Sequence, residues 1–368
     1  RVPDMMRFLV RGALAFVLTA GVGVSTLEAQ ATALWYIATY SSHILVWDEV
    51  SEQIVDQIEL NNPLPHRFSL SPNRDRLYVT EARAETVEVV DVESREVVDE
   101  FTLSQGNVMV RISAIAPHPS GDRVALFVKR YTKHRDRYEV AGPFMLEYDL
   151  TSKTVTDTIP WPDGGPRENV GLQYSPDGKT LYMTSGDIVA VDAETFEEVD
   201  RWDISEPLEP GLGRQSFGVN PGTYDEDGVA TSLMRMTDPV HNRRMMGIAR
   251  VRLSEKEIDF YTLGTAEPIG RFVVAPGGEK AYGLLEQIGR YEFWEFDLVN
   301  HRVAQRVPFA GRPRMGLEVS ADGSKLYIHV AGNSIDIYDS STFEYLRSVV
   351  FDEDMTRVAV FPQGGGTP

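Results

Sequence analysis

The sequence predicts an all-β protein, a seven-bladed β-propeller, from three observations. A pattern of four short strands recurs along the chain with a period of about 40 residues, which is typical of propeller blades. A turn rich in proline, aspartate or glycine follows the first strand of each copy. The two ends of the repeat region supply three strands and one strand. Because a terminal strand that completes the first sheet removes an exposed edge, these leftovers favour a closed ring; an open array with separate caps is the alternative.

Residues 169–204 contain one complete unit. Strands are predicted over 171–175, 180–184, 187–191 and 199–204, from apolar or alternating runs of four to six residues. The Pro-Asp-Gly group at 176–178 makes the first turn, because proline presets φ, aspartate bonds its own backbone and glycine accepts a positive φ. Asp192 begins the turn between the third and fourth strands.

The other units follow the same plan. The chain begins with three strands, over 34–39, 44–47 and 54–60, and ends with a single strand over 357–361. Between them, the other complete units lie over 67–103, 111–161, 215–263, 271–309 and 314–351. The turns after the first strands lie at 71–73, 119–121, 176–178, 221–222, 276–278 and 321–323. The propeller is therefore predicted over 32–363, with 364–368 as a flexible tail.

Residues 1–31 are predicted to be a signal peptide with upstream residues. Arg7 and Arg11 flank the start of an apolar run over 12–24, and an A-x-A-like cleavage site follows. The run is shorter than a span of about 20 apolar residues and is interrupted by glycine. An uncleaved membrane anchor is the alternative. A cleaved signal predicts a periplasmic or secreted protein.

Composition limits the partners and cofactors. The chain has no cysteine, which excludes disulfides, C-x-x-C-H haem attachment and cysteine-ligated metal sites. Its formal net charge of −19 argues against nucleic acid and against adhesion to anionic lipid. We therefore expect an anionic small molecule or a protein as partner, no nucleic acid, no membrane in the mature form, and no cofactor or metal.

Two segments carry a family resemblance. The strings SPNRDRLYVTEARAETVEVVDVES (71–94) and SPDGKTLYMTSGDIVAVDAET (175–195) resemble the YVTN family of propeller repeats, and residues 78–80 match its name. The resemblance covers about 33–363 and implies a propeller fold. It is less informative about function, since such propellers are similar to bacterial surface-layer modules, periplasmic proteins and the heavy chains of quinoprotein amine dehydrogenases alike.

Most acidic residues at recurring positions have a structural interpretation. An aspartate ends the third strand in six units: Asp48, Asp91, Asp149, Asp192, Asp297 and Asp339. Each precedes a turn, and in most units a serine, threonine or asparagine follows within three residues, which favours backbone capping over a ring of carboxylates. The cluster at 225–228, Asp-Glu-Asp-Gly, offers oxygen ligands for calcium but lacks the ligand spacing of a known loop, so an acidic turn is favoured.

Arginine recurs where a binding site is expected. It stands at or just before the start of each innermost strand: Arg67, Arg111, Arg167, Arg214, Arg271, Arg314 and Arg357, with Arg312 in addition. Innermost strands line the channel of a propeller, so these side chains are predicted to surround one mouth. Arg167 lies nine residues before its turn proline and is set apart. The candidate ligand-binding residues are Arg67, Arg111, Arg214, Arg271, Arg314, Arg357 and His66.

Two basic insertions between second and third strands, 129–143 and 234–247, fall on the same predicted face. Arginine presents a planar fork of donors to carboxylate or phosphate, so this face is predicted to bind an anionic ligand or an acidic partner segment. The alternative is that the arginines pair with aspartates of neighbouring blades and lock the ring. The four methionines of the second insertion suggest an adaptable contact surface or plain packing.

No catalytic motif stands out. The chain lacks a G-x-S-x-G elbow, an H-E-x-x-H helix and a phosphate-binding glycine loop, and its histidines are scattered. A binding or interaction scaffold fits these absences. The alternatives are a hydrolase that resembles propeller lactonases, for which no glutamate and histidine cluster can be placed, and a non-catalytic heavy chain of a quinoprotein dehydrogenase.

Overall fold

The computed structural model describes residues 31–204, 207 and 211–363. The predicted tail and the predicted signal peptide up to residue 30 lie outside the described residues. The described part of the chain forms seven antiparallel sheets of four strands each, arranged as a β-propeller, so the predicted fold class is confirmed. No helix long and apolar enough to cross a bilayer occurs in this part of the chain.

We number the blades along the chain and give their strands from the channel outward. Blade 1 contains β28 (Met355–Gln363), β1 (Thr32–Thr39), β2 (His43–Asp48) and β3 (Gln53–Glu59). Blade 2 contains β4 (Pro65–Leu70), β5 (Arg76–Glu81), β6 (Thr86–Asp91) and β7 (Glu96–Thr102). Blade 3 contains β8 (Val108–Pro117), β9 (Arg123–Lys133), β10 (Tyr138–Asp149) and β11 (Thr154–Ile159). Blade 4 contains β12 (Gly171–Tyr174), β13 (Thr180–Ser185), β14 (Asp187–Asp192) and β15 (Glu198–Trp202).

The remaining blades follow in chain order. Blade 5 contains β16 (Gln215–Ser216), β17 (Ala230–Asp238), β18 (Arg243–Arg252) and β19 (Glu257–Thr265). Blade 6 contains β20 (Ile269–Val274), β21 (Lys280–Gln287), β22 (Arg290–Asp297) and β23 (Arg302–Pro308). Blade 7 contains β24 (Gly316–Val319), β25 (Lys325–His329), β26 (Ser334–Asp339) and β27 (Tyr345–Val350).

The turns hold the blades in register as the sequence predicts. In blade 4, Gly178 has a φ of 74°, and its N–H donates to the Ser175 carbonyl at 2.9 Å. Asp192 Oδ1 accepts the Thr195 N–H at 2.8 Å. The other five aspartates accept in the same way from residues 51, 94, 152, 300 and 342. The interpretation of these aspartates as turn caps is confirmed.

The ring closes through β28, as the leftover strands predict. β28 pairs antiparallel with β1, with Leu34 opposite Phe361. Across the junction with blade 7, Trp35 lies edge-on to Tyr327 with ring centroids 4.7 Å apart. The buried Glu49 carboxylate accepts the Trp35 indole N–H at 3.1 Å and the Ala321 N–H at 2.9 Å. Apolar packing and a buried acceptor therefore join the two ends of the chain.

Blades pack face to face through apolar residues, whereas the outermost strands face solvent. The four central residues of β2 are buried, but six of the seven residues of β3 are exposed. The same contrast holds between β26 and β27 in blade 7. Burial on both faces explains why the inner strands read as continuous apolar runs rather than as alternating ones.

Blade 5 departs from the predicted pattern. Its innermost strand, β16, has two residues, and residues 217–229 leave the sheet instead of making a tight turn at 221–222. Ser232 Oγ accepts the Gly218 N–H at 2.8 Å and donates to its carbonyl at 3.2 Å, so a side chain replaces the next rung of the ladder. The freed segment is long enough to reach other blades.

Candidate functional site

The central channel is surrounded by the seven innermost strands β28, β4, β8, β12, β16, β20 and β24. These strands all run in one direction, so their starts lie at one end of the channel, which we call the mouth. Their ends, and the turns that lead to the second strands, lie at the other end. The predicted arginines belong to the mouth and the long blade 5 segment to the opposite end.

Residues 222–225, which we call the floor segment, cross the end of the channel opposite the mouth. The guanidinium of Arg74 in blade 2 donates to the carbonyls of Gly222 at 2.9 Å and Thr223 at 3.1 Å. Tyr224 packs against the clusters that join blade 6 to blade 7 and blade 7 to blade 1. Because blades 2 and 5 are separated by two other blades, these contacts span the ring and make a floor for the channel.

Arg74 occupies a turn position that favours glycine. It has a φ of 57°, and its N–H donates to the Ser71 carbonyl at 2.9 Å. Gly121, Gly178, Gly278 and Gly323 make the same turn bond in other blades. A left-handed conformation costs an ordinary residue about 1–2 kcal/mol. The side-chain bonds of Arg74 to the floor segment offset that cost.

Replacing Arg74 with alanine is expected to lower the free energy of unfolding by about 1–2 kcal/mol, because two charge-assisted hydrogen bonds are lost. Because alanine at this position keeps the strained left-handed backbone conformation, the change in the free energy of unfolding reports the loss of the Arg74 side-chain hydrogen bonds. Arg95→Ala is the matched control, since Arg95 has a φ of 58° and pairs with exposed Asp56 at 3.1 Å. Urea unfolding that gives equal losses for both variants would contradict the role of Arg74.

A cavity of about 210 Å³ lies above the floor segment. Its other walls are Thr231 of blade 5, residues 272–274 of β20, and Glu318 and Val319 of β24. Asp225 Oδ2 accepts the N–H groups of Gly222 at 2.7 Å and Thr231 at 3.0 Å, which fixes the segment. Asp225 Oδ1 and the Tyr224 hydroxyl are buried and have no partner in the described part of the chain. Both residues belong to the cavity wall, and these two oxygen atoms are left without a hydrogen bond.

Glu318 is the ionisable group of the cavity wall. Burial inside the ring raises its pKa to about 7, although the positive charges of Arg357 and Arg271 act to lower it. Its carboxyl group has no hydrogen-bond or ion-pair partner among the described residues. Glu318 is therefore a carboxyl group that changes charge near neutral pH and remains free for a ligand.

His329 of β25 lies on the mouth side of Glu318. It pairs in register with Gly316, and its ring is so close that a Cβ added to Gly316 would lie 2.2 Å from it. Burial, followed by the charges of Arg357 and Arg271, lowers the pKa of His329 to about 4. The imidazole is therefore neutral at neutral pH and adds no repulsion to the two arginines.

Sequence reasoning missed both groups. The position of Glu318, two residues before the turn residue, is uncharged in the other aligned blades: Ser69, Ala116, Gln173 and Val273. A lone acid at this position of one innermost strand is the signal that would have identified Glu318. For His329 the available signal was weaker, because a histidine at the end of a second strand is also typical of an exposed loop boundary.

Two of the six candidate arginines flank β24, one from the innermost strand of blade 6 and the other from that of blade 1. Arg271 of β20 and Arg357 of β28 both act electrostatically on Glu318 and His329. Arg67 instead donates to the Ser113 carbonyl of blade 3 at 2.6 Å, and Arg111 lies over the Tyr131 ring at 5.4 Å. The exposed residues are Arg111, Arg214, Arg271, Arg314, Arg357 and His66. No interaction joins Arg214, Arg314 or His66 to the pair that flanks β24 in the described residues.

Carboxylates do not neutralise these arginines. Among the described residues, none of the six candidates forms an ion pair, so pairing with aspartates of neighbouring blades is not observed. Arg67 and Arg271 bond main-chain carbonyls of the next blade instead, the latter from Nε to Met315 at 2.8 Å. Arg167, set apart in the sequence, donates to Ser185 at 2.9 Å and pairs with Asp163. Arg67 and Arg271 therefore help to join blades, and none of the six candidates has an ion-pair partner among the described residues.

The two basic insertions form β-hairpins. One extends β9 and β10 around residues 134–137, and the other extends β17 and β18 around 239–242. Part of their charge is paired, through Lys129 with Glu168 at 2.8 Å and Arg243 with Asp238 at 3.0 Å. The buried methionines are Met234, Met236 and Met246. The interpretation of these methionines as packing is therefore favoured over a contact surface.

Comparison with known proteins relates the chain to other propellers by structure alone. No protein-family model matches the chain, and neither does any curated protein. Apo AztD from Citrobacter koseri superimposes with a TM-score of 0.55 at 13% identity, over 90% of this chain and 98% of that one. A functionally unknown protein from Desulfotomaculum acetoxidans DSM 771 gives 0.52 at 15% identity, over 89% and 98%.

A third neighbour is an enzyme. Dihydro-heme d1 dehydrogenase NirN, in complex with DHE, gives a TM-score of 0.52 at 13% identity, over 89% of this chain and 74% of that one. At such low identity these matches establish a shared architecture and not a shared activity. Membership of the YVTN family stays a prediction. The chain is similar in fold to these β-propeller proteins.

Proposed function

We propose that the protein is a secreted or periplasmic propeller scaffold that binds an anionic small molecule, or an acidic segment of a protein partner, at the mouth of its channel. One observation carries the proposal. Arg271 and Arg357 stand on the innermost strands on either side of β24, act on the same two groups and form no ion pair among the described residues, in a chain with a formal net charge of −19. Uncompensated positive charge in so acidic a protein is what an anion site requires.

The local chemistry favours an oxyanion. Arg271 uses Nε for the Met315 carbonyl, which leaves both Nη atoms for a ligand. A guanidinium matches the two oxygens of a carboxylate or phosphate and binds them through two parallel hydrogen bonds. Neutral His329 can donate or accept a hydrogen bond beside the pair. An acidic exterior with one positive concavity also guides an anion toward the mouth.

Replacing Arg357 with glutamine is expected to weaken anion binding at least about ten-fold, or ~1.4 kcal/mol. Isothermal titration with short carboxylates and inorganic phosphate at low and high salt gives the measurement. Arg357→Lys is expected to recover part of the affinity, because it keeps the charge but not the fork.

The matched control is Arg312→Gln. Arg312 is exposed near the start of β24 and lies 3.4 Å from Asp336, so its removal changes the net charge equally without touching the channel. The proposal fails if no carboxylate or phosphate binds the unaltered protein, or if Arg312→Gln and Arg357→Gln weaken binding equally.

The second candidate is a hydrolase that resembles propeller lactonases, and Glu318 is the observation that favours it. A general base works best with a pKa near the operating pH, and the Glu318 carboxyl lies free in a cavity with a pKa of about 7. Assays with sugar lactones test this candidate. Turnover that Glu318→Gln abolishes would support it, and no turnover with any lactone would remove it.

A further inference from the structure

The cavity above the floor segment has chemistry opposite to that of the mouth. Its polar groups without partners are Asp225 Oδ1, the Tyr224 hydroxyl and the Glu318 carboxyl. Ionised carboxylates only accept hydrogen bonds, and a hydroxyl accepts as well as donates. Buried polar atoms normally have partners, so a group left with none indicates a missing donor. A ligand group with several donors complements this set.

Charge separates along the channel axis. The carboxyl groups of Asp225 and Glu318 line the cavity, while Arg271 and Arg357 act on Glu318 from the mouth side. Arg74, below the cavity, is already bonded to two floor carbonyls and has no bond to Asp225. A purely anionic ligand that filled the cavity would meet Glu318 and Asp225. A purely cationic ligand would leave the arginines without a partner.

We propose that the channel binds a small zwitterion, with its ammonium group in the cavity and its carboxylate at the arginines. This inference rests on the proposed anion site and names the class of its ligand. An ammonium group has three donors, which matches Asp225 Oδ1, Glu318 and the Tyr224 hydroxyl. The carboxylate takes the Nη atoms of Arg271 and Arg357.

The size of the cavity limits the ligand. A volume of about 210 Å³ lies below the roughly 300–1,000 Å³ of pockets that take drug-sized ligands. Phe272, Val274 and Val319 supply apolar wall that suits methylene groups. The ligand class is therefore an amino acid, or an amino-carboxylic acid whose two charges are separated by a few methylene groups, rather than a nucleotide or a sugar chain.

A matched set of ligands tests the proposal on the full chain. Butyrate carries only the anion, butylamine only the cation, and 4-aminobutyrate both. Glycine and 6-aminohexanoate vary the separation of the two charges and are compared with acetate and hexanoate. Titration calorimetry is expected to show one zwitterion binding at least about ten-fold more tightly than the anion of equal length. Glu318→Gln is expected to reduce that advantage to less than about three-fold and not to weaken butyrate binding, because it removes a carboxyl group that acts electrostatically on Arg271 and Arg357. Glu168→Gln, at an exposed residue that pairs with Lys129, is the control.

The unaltered protein decides the matter even if a variant fails to fold. If butyrate binds as well as every zwitterion, the zwitterion proposal is overturned and the anion site stands. If neither anions nor zwitterions bind, both proposals fall. If a zwitterion is preferred but folded Glu318→Gln keeps the full preference, the cavity is not the ammonium site and the inference is overturned.

Discussion

A chain that ends at Asp354 is expected to lose the cooperative fold, because it lacks β28. That strand supplies the backbone partner of β1 along its whole length. It also buries Met355, Val358, Val360 and Phe361. At about 1.5–3 kcal/mol for each apolar side chain, their exposure costs about 6–12 kcal/mol, which is comparable with the entire stability of a typical domain, about 5–15 kcal/mol.

Circular dichroism melts and size-exclusion chromatography measure this effect. We expect no cooperative transition for the shortened chain, and association through the unpaired edge of β1. A chain that ends at Gln363 keeps β28 and is the control. A peptide of residues 355–363 added in trans is expected to restore the melt. A monomeric shortened chain with an unchanged melting temperature would show that β28 does not close the ring.

Replacing Glu318 with glutamine is expected to stabilise the protein above pH 7 and to leave it nearly unchanged below pH 4.5. Burial raises the pKa of Glu318 from 4.5 to about 7. Between these values the folded protein keeps a proton that the unfolded chain has released, so stability is lost as the pH rises through this window. The difference amounts to about 1–3 kcal/mol, since each pKa unit is worth 1.36 kcal/mol and water in the channel reduces the full value.

Melting temperatures measured from pH 4 to pH 9 test this prediction. His329 contributes with the opposite sign, because its pKa is lowered from 6.5 to about 4 and its stabilising contribution is lost as the pH falls through that range. His329 contributes equally to both proteins. Subtracting the melting temperature of the unaltered protein from that of Glu318→Gln at each pH therefore cancels the His329 contribution. The control is Glu168→Gln. Parallel curves for the two variants over the whole range would contradict a raised pKa at Glu318.

The blade pattern was predictable because turns and strand faces are encoded locally. Gly178 and Asp192 act within a few residues of their own positions, and each repeats in other blades. Closure through β28 was also predictable. The chain begins with three strands and ends with one, and pairing the last strand with the first is the way to leave no inner sheet edge unpaired. Predicted strand boundaries in blade 4 differ from the observed ones by no more than two residues.

The site was less predictable, because it depends on contacts between distant parts of the chain. Arg74 and Gly222 are separated by 148 residues, and nothing in the turn at 71–73 indicates that its neighbour spans the ring. The predicted arginines stand at or near the starts of the innermost strands, but only Arg271 and Arg357 act on Glu318 and His329, and their role as a binding site stays a prediction. Glu318 resembles any polar residue of an alternating strand until ring closure places it inside the channel.

The floor segment limits which molecules the proposed channel site could bind. A propeller channel open at both ends could let a linear polymer pass through, but Tyr224 and the bonds from Arg74 obstruct the far end. A ligand must therefore arrive and leave by the same route. A polysaccharide or an extended peptide could insert only one of its ends into the channel. Residues in the middle of such a polymer would therefore not contact the proposed site. A ligand held in the cavity, as proposed, would also be out of reach of a second protein until it diffused back to the mouth.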